Sequence, residues 1–264
     1  MIAHKSEWIH NFSVDALQVE IYADRASMGA AAARQVATAL KEALAARGTA
    51  NVVFAAAPSQ DDFLAALCQE PGIDWAKITA FHLDEYIGLS DQHPASFRHY
   101  LREHIFQHLP LGRVHWLNGD GADAQQECRR YAALLESVVL DVACIGIGEN
   151  GHLAFNDPPA DFNAPHAVNV VQLDEACRLQ QVEEGHFPEL AAVPVQALSL
   201  SIPAILSARA VCCMVPGPRK AAAVRHTLEK PVSPLCPASI LRQHPHCTLF
   251  LDPPATALLT KWVV

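Results

Sequence analysis

Leu140-Asp-Val-Ala-Cys-Ile-Gly-Ile147 runs without a break into Gly148-Glu-Asn-Gly-His-Leu-Ala-Phe-Asn-Asp-Pro158. The first half predicts a buried strand, because a parallel strand covered on both faces reads as a near-continuous apolar run. The second half predicts a ligand-facing turn. Gly146, Gly148 and Gly151 allow tight turns and close approach of backbone to a ligand. His152 and Asp157 follow on a segment that turns back on itself, and a carboxylate beside an imidazole fixes its tautomer and raises its basicity.

The same grammar extends in both directions. Strands are predicted at Leu17 to Tyr22, Asn51 to Ala57, Ile78 to Leu83, Val114 to Leu117, Leu198 to Ile202, Ala210 to Val215 and Thr248 to Leu251. Helices are predicted between them. Arg25 to Arg47 is Ala-rich, with Asp24 to cap it and Gly48 to stop it. Others cover Ser59 to Leu67, Ala95 to His108, Ala122 to Val138 and Arg219 to Glu229. A polar helix, Glu175 to Glu184, is expected over or near the site as a lid. Between Asp157 and Ala167 the composition turns to Pro, Asn and Asp, which predicts a mobile loop. Strands that alternate with helices imply βαβ units and a mostly parallel sheet with helices on both faces. The expectation is one three-layer α/β domain over residues 1–264.

Composition narrows the function. The chain carries a net charge of −9 and no Lys/Arg cluster, which argues against nucleic acid or an anionic membrane as partner. No apolar run approaches the ~20 residues that span a bilayer. Met1 to Asn11 has no signal-peptide core. None of the eight cysteines forms a C-x-x-C pair, and most lie in apolar stretches, so they read as reduced core thiols of a cytoplasmic protein.

In open parallel sheets, ligands sit outside the carboxyl ends of the strands. Three such ends carry chemistry. Ala57-Pro58-Ser59 opens a helix with a hydroxyl, a suitable anion cradle. Asp84-Glu85 follows an apolar strand, and two carboxylates at that point suit a general base. The third is the segment that ends at Pro158. The chain has no P-loop, and its G-x-G element lacks the third glycine and partner acid of a dinucleotide site. His152, Asp157 and His82 lack metal-ligand spacing. No cofactor and no metal are expected.

Phe81-His-Leu-Asp-Glu-Tyr-Ile-Gly-Leu89 and Gly146-Ile-Gly-Glu-Asn-Gly-His-Leu-Ala-Phe-Asn-Asp-Pro158 resemble the two signature segments of the glucosamine-6-phosphate deaminase/isomerase family, which is related to 6-phosphogluconolactonases. The resemblance covers nearly the whole chain. It implies a Rossmann-like α/β sandwich and a small-molecule sugar phosphate as substrate. It also implies roles. Asp84 matches the base that moves a proton between C1 and C2, and His152 the group that opens the sugar ring. Asp157 matches an acid that tunes the histidine, and Lys220 the phosphate-binding lysine. Ser59, with Ala57, matches the phosphate loop, while Gly146 and Gly148 line the substrate. The family contains monomers and oligomers, so a homo-oligomer is one expectation.

Four departures bear on the substrate. Asn150 stands where most deaminases have Asp, as it does in the galactosamine-6-phosphate branch, and an amide is expected to orient His152 without charge. Asp157 replaces a Glu. The phosphate loop has lost its glycines, and Pro58 has no N–H. The lid arginine of the family falls near Glu183, with Arg178 the nearest cation. The resulting expectation is a hexosamine-6-phosphate deaminase/isomerase. The alternatives are a lactone hydrolase of the 6-phosphogluconolactonase type and a non-catalytic sugar-phosphate-binding paralogue.

Overall fold

A computed structural model describes residues 8–173, 175–183, 185 and 187–260; of Ala176, Cys177, Gln180 and Glu183 it describes the backbone alone. The elements follow in chain order: β1 (Trp8–Val14), β2 (Leu17–Tyr22), α1 (Arg25–Arg47), β3 (Ala50–Phe54), α2 (Asp61–Leu67), β4 (Ile78–His82), β5 (Asp84–Tyr86), α3 (Phe97–His104), β6 (Arg113–Val114), α4 (Ala124–Glu136), β7 (Val142–Ile145), β8 (Val168–Gln172), α5 (Glu175–Glu183), β9 (Gln196–Leu200), α6 (Ile202–Leu206), β10 (Ala210–Val215), α7 (Ala221–Glu229) and β11 (Cys247–Leu251).

Among the described residues the main sheet has the order β1-β2-β11-β10-β7-β3-β4-β6. Every pair from β2 to β6 is parallel, and only β1 runs antiparallel, in a hairpin with β2. Side chains on a strand alternate between faces, and here both faces are buried. On β10, Val211, Cys213 and Val215 enter a core with residues of α4, α6 and α7. Cys212 and Met214 enter a second core with α1, α2 and α3. This is the three-layer α/β arrangement expected. α1 is held at both ends: Asp24 accepts from the Ser27 N–H in a capping box, and Gly48 closes the helix in a left-handed conformation.

Several expectations need correction. β1 was not anticipated: it is an edge strand without a fully buried position, so its apolar pattern is weak. Residues 1–7 lie outside the described part. Asp141 does not belong to the predicted apolar strand. It is buried just before β7, paired with Arg47 at the end of α1, and it accepts from the Asn51 N–H at 2.9 Å. The strand predicted at Val114 to Leu117 shrinks to β6. The helix predicted from Ser59 begins as a 3-10 turn, Pro58–Gln60, and α2 starts only at Asp61. The predicted lid helix is present as α5, and Glu184 lies outside the described residues.

The largest correction concerns Asp84 and the strand near Leu198. β5, β9 and β8 form a separate antiparallel sheet, with Asp84 opposite Ser199 and Val168 opposite Leu200. The chain therefore leaves the main sheet after β4, and Asp84-Glu85-Tyr86 is a strand rather than a turn.

Sheet order also locates the site. From β3 the chain steps to β4 and β6 on one side, then returns to β7 on the other side of β3 and proceeds to β10 and β11. The order reverses between β3 and β7, so the connections after those strands diverge and leave a crevice at their carboxyl ends.

Candidate active site

The crevice is a cavity of about 540 Å³. Ala57 and Ser59 reach it from the end of β3, Asp84 from beyond β4, Gly146, Gly148 and His152 from the end of β7, and Lys220 from the end of β10. Seven of the nine site residues expected from sequence thus line one cavity. Asn150 and Asp157 do not line it; they stand behind His152.

Asp84 is buried at the cavity floor. Burial pushes its carboxyl well above the ordinary carboxylate range, and the neighbouring Glu85 charge adds to the rise. Its backbone is held by His82, whose Nε2 accepts from the Leu117 N–H at 2.9 Å. That leaves Nδ1 as the protonated nitrogen, donating to the Asp84 carbonyl at 3.0 Å. Burial lowers the His82 pKa to about 3, so the ring stays neutral. Both nitrogens serve backbone groups, so His82 holds the strand that carries Asp84.

Glu85 points away from the cavity and is completely buried. It accepts from Ser96 Oγ at 2.7 Å, from the Phe97 and Arg98 N–H groups at 3.1 and 2.9 Å, and from Arg98 Nε at 3.1 Å. The adjacent carboxylates have separate tasks: one faces the cavity, the other caps α3.

His152 Nδ1 lies 3.1 Å from Asp157 Oδ1, close but poorly aligned. Burial alone would raise the Asp157 carboxyl; the imidazole and the Asn150 amide outweigh it and hold the group below its usual range. Asn150 was expected to orient His152 directly. Instead its Nδ2 donates to Asp157 Oδ1 at 2.8 Å, and its Oδ1 accepts from the His152 N–H at 3.0 Å. It ties the loop to the acid, and the acid faces the ring.

Gly148 is where the ring needs room. A Cβ there would stand 2.2–2.4 Å from three atoms of the His152 imidazole. Gly148→Ala is expected to swing the ring out of place and lower kcat by about 100-fold, the scale of a roughly 1 Å misplacement. The circular dichroism spectrum should stay unchanged; undiminished turnover would show that ring placement is not critical.

The anion end differs from expectation. Pro58–Gln60 is a single 3-10 turn, and α2 behind it opens with Asp61 and Asp62, so Ser59 does not itself open an α-helix onto the cavity. What remains is the Ser59 hydroxyl. Gln60 Nε2 donates to Ser59 Oγ at 3.1 Å, which leaves the hydroxyl proton for another acceptor. Arg178 is committed elsewhere, donating to the Leu190 and Val193 carbonyls at 2.7 and 2.9 Å. Among the described side chains of α5, Gln181 lines the cavity, and its Oε1 accepts from Tyr86 at 3.1 Å. The side chain of Glu183 lies outside the described residues. Arg25, Tyr86, Glu149 and Arg219 also line the cavity. None was given a role from sequence: Tyr86 and Glu149 lie within the quoted segments beside residues with clearer chemistry, Arg219 precedes Lys220, and Arg25 is remote from all of them.

Among the described residues the cysteines are unpaired; all but Cys68 are buried, and burial raises thiols such as Cys144 and Cys213. No helix among the described residues is long and apolar enough to cross a membrane.

Known proteins share this fold. Glucosamine-6-phosphate deaminases of Bacillus thuringiensis (strain Al Hakam) and Bacillus cereus (strain B4264) are 34% and 35% identical to the chain over 189 residues, 72% of this chain and 71% of theirs. A solved monomeric glucosamine-6-phosphate deaminase superposes with a TM-score of 0.83 at 33% identity, covering 91% of this chain and 99% of that one. The 6-phosphogluconolactonase of Thermotoga maritima shares the fold, with a TM-score of 0.74 at 18% identity over 89% of this chain and 99% of its own. The model of glucosamine-6-phosphate isomerases/6-phosphogluconolactonase matches residues 23–250, and the chain belongs to that family.

Proposed function

We propose that the protein converts a hexosamine 6-phosphate, glucosamine or galactosamine 6-phosphate, to the ketose 6-phosphate and ammonia. The observation that carries this is the pairing, in one cavity, of a buried carboxylate of raised pKa with an imidazole backed by a second carboxylate.

The two groups suit different steps. Isomerisation needs a base that takes a proton from C2 and returns it to C1. Asp84, made more basic by burial, has the character for it. Ring opening needs a group that moves a proton between the anomeric hydroxyl and the ring oxygen. His152, with Asp157 at Nδ1, presents its other nitrogen for that transfer. The C2 imine that follows is hydrolysed by water, which releases ammonia and leaves the ketone. Ser59 and Lys220 take the phosphate.

The test is ammonia release from either substrate by purified protein, run in deuterium oxide. Deuterium at C1 of the ketose product marks a proton shuttle, whereas lactone hydrolysis involves no carbon-bound proton. Absence of ammonia from both sugars at millimolar concentration would refute the proposal. A binding paralogue would show thermal stabilisation by the sugar phosphate without turnover.

A further inference from the structure

With a net charge of −9, a phosphate must be drawn in by local cations. Lys220 is one, and among the described side chains of α5 the one that lines the cavity is the neutral Gln181. Two arginines line the same cavity. Arg25 is committed: its Nε donates to Asp62 and its Nη2 to the Pro58 carbonyl, with Asp61 3.9 Å away. Two carboxylates against one guanidinium make that corner unfavourable for an anion.

Arg219 stands differently. It shares the turn Pro218–Lys220 with Lys220, so the chain itself places it beside the expected anchor. Its Nε lies 2.6 Å from Glu149 Oε1, on the neighbouring loop that carries His152. The Arg219 side chain is 52% exposed and that of Glu149 32%. Glu149 Oε1 is shielded from solvent yet has no aligned hydrogen-bond partner among the described residues. Both side chains are nevertheless partly exposed, and an ion pair at such a site contributes little to stability, so a stronger anion can compete for the guanidinium. A phosphate dianion carries more charge than a carboxylate and accepts a guanidinium through two parallel hydrogen bonds.

We propose that Arg219 is a second phosphate ligand of this cavity, tethered by Glu149 and transferred to the phosphate of a sugar phosphate seated on Ser59 and Lys220. The inference rests on reading the cavity as a sugar-phosphate site and names the residue that supplies its missing charge.

Calorimetric titration with inorganic phosphate and with glucosamine 6-phosphate tests it on the wild type, Arg219→Gln and Glu149→Gln, with glucosamine as the control lacking phosphate. Arg219→Gln should weaken both phosphate ligands by about tenfold, the scale of one charge-assisted pair. In the turnover assay the loss should fall on KM more than on kcat. Glu149→Gln removes the competitor and should tighten both ligands severalfold. Binding of phosphate by Arg219→Gln within twofold of wild type would overturn the proposal. So would a loss in Glu149→Gln equal to that in Arg219→Gln, which would make the pair a structural strap, or no binding of either phosphate ligand to wild type at millimolar concentration. Calorimetry needs no turnover. A chain that binds phosphate through Arg219 but releases no ammonia would sustain this inference and refute the deaminase reading.

Discussion

Asp84→Asn is expected to abolish most turnover and, at neutral pH, to raise the melting temperature. The catalytic loss should be about 10²–10⁴-fold, the usual contribution of a positioned general base. The gain in stability follows from the same burial that makes Asp84 basic. Its folded pKa lies above the unfolded value, so the favourable contribution belongs to the protonated form. That contribution is complete below the unfolded pKa near 3.8 and is lost as pH rises through the folded pKa. Above that range the unfolded carboxyl gains more from ionising than the folded one does, a cost to folding that asparagine does not carry. Each kcal/mol recovered corresponds to a shift of about 2–4 °C in a protein of this size class. The advantage of the variant should shrink on acidification and vanish below pH 4. Calorimetric scans at pH 4 and pH 7.5 measure it; a variant less stable than wild type at both would contradict the buried-charge account. The acid limb of kcat/KM in the wild type should lie above the ordinary aspartate range, and residual activity of the variant should lack that limb.

Glu85→Ala is expected to be the most destabilising single change near the site. Glu85 is fully buried and Arg98 nearly so, and removal of one partner of such a pair costs about 3–5 kcal/mol because the other charge is left uncompensated. Asp120 would remain with Arg98, at 2.9 Å, but its side chain is 43% exposed and does not replace the lost carboxylate. The N–H groups of Phe97 and Arg98 and the Ser96 hydroxyl would lose their acceptor at the start of α3. Glu85→Gln keeps part of this acceptor geometry and should cost less. It should also move the acid limb of kcat/KM to lower pH, since the Glu85 charge helps to raise Asp84. Urea denaturation and pH profiles separate the two effects. A Glu85→Ala protein within 1 kcal/mol of wild type would show that Arg98 finds full compensation elsewhere.

Much of the site was legible in the linear chain. The 146–158 segment, directly after β7, packs three glycines, an imidazole and two carboxylates into 13 residues, so its chemistry is local. Asp84 was legible for the same reason, as a carboxylate placed after an apolar strand. The anion end was less so, because Ser59 and Lys220 belong to connections 161 residues apart (220 − 59), and the bond that ties Arg219 to Glu149 joins two separate loops.

Alternation of strands and helices was set by the sequence alone, because side-chain periodicity records burial residue by residue. So was the placement of Asp84 and His152 at strand ends. Which strand pairs with which was not. β9 has four consecutive buried residues, a pattern equally fit for the main sheet or for the antiparallel sheet it joins. Tertiary structure also decided the character of each group. Asp84 is a stronger base than its residue type because the fold buries it, and Glu85 beside it is a helix cap because its side chain turns the other way. Arg219 meets Glu149 because the ends of β7 and β10 come together. Basicity, charge pairing and access depend on distances between residues far apart in the chain, which local pattern does not encode.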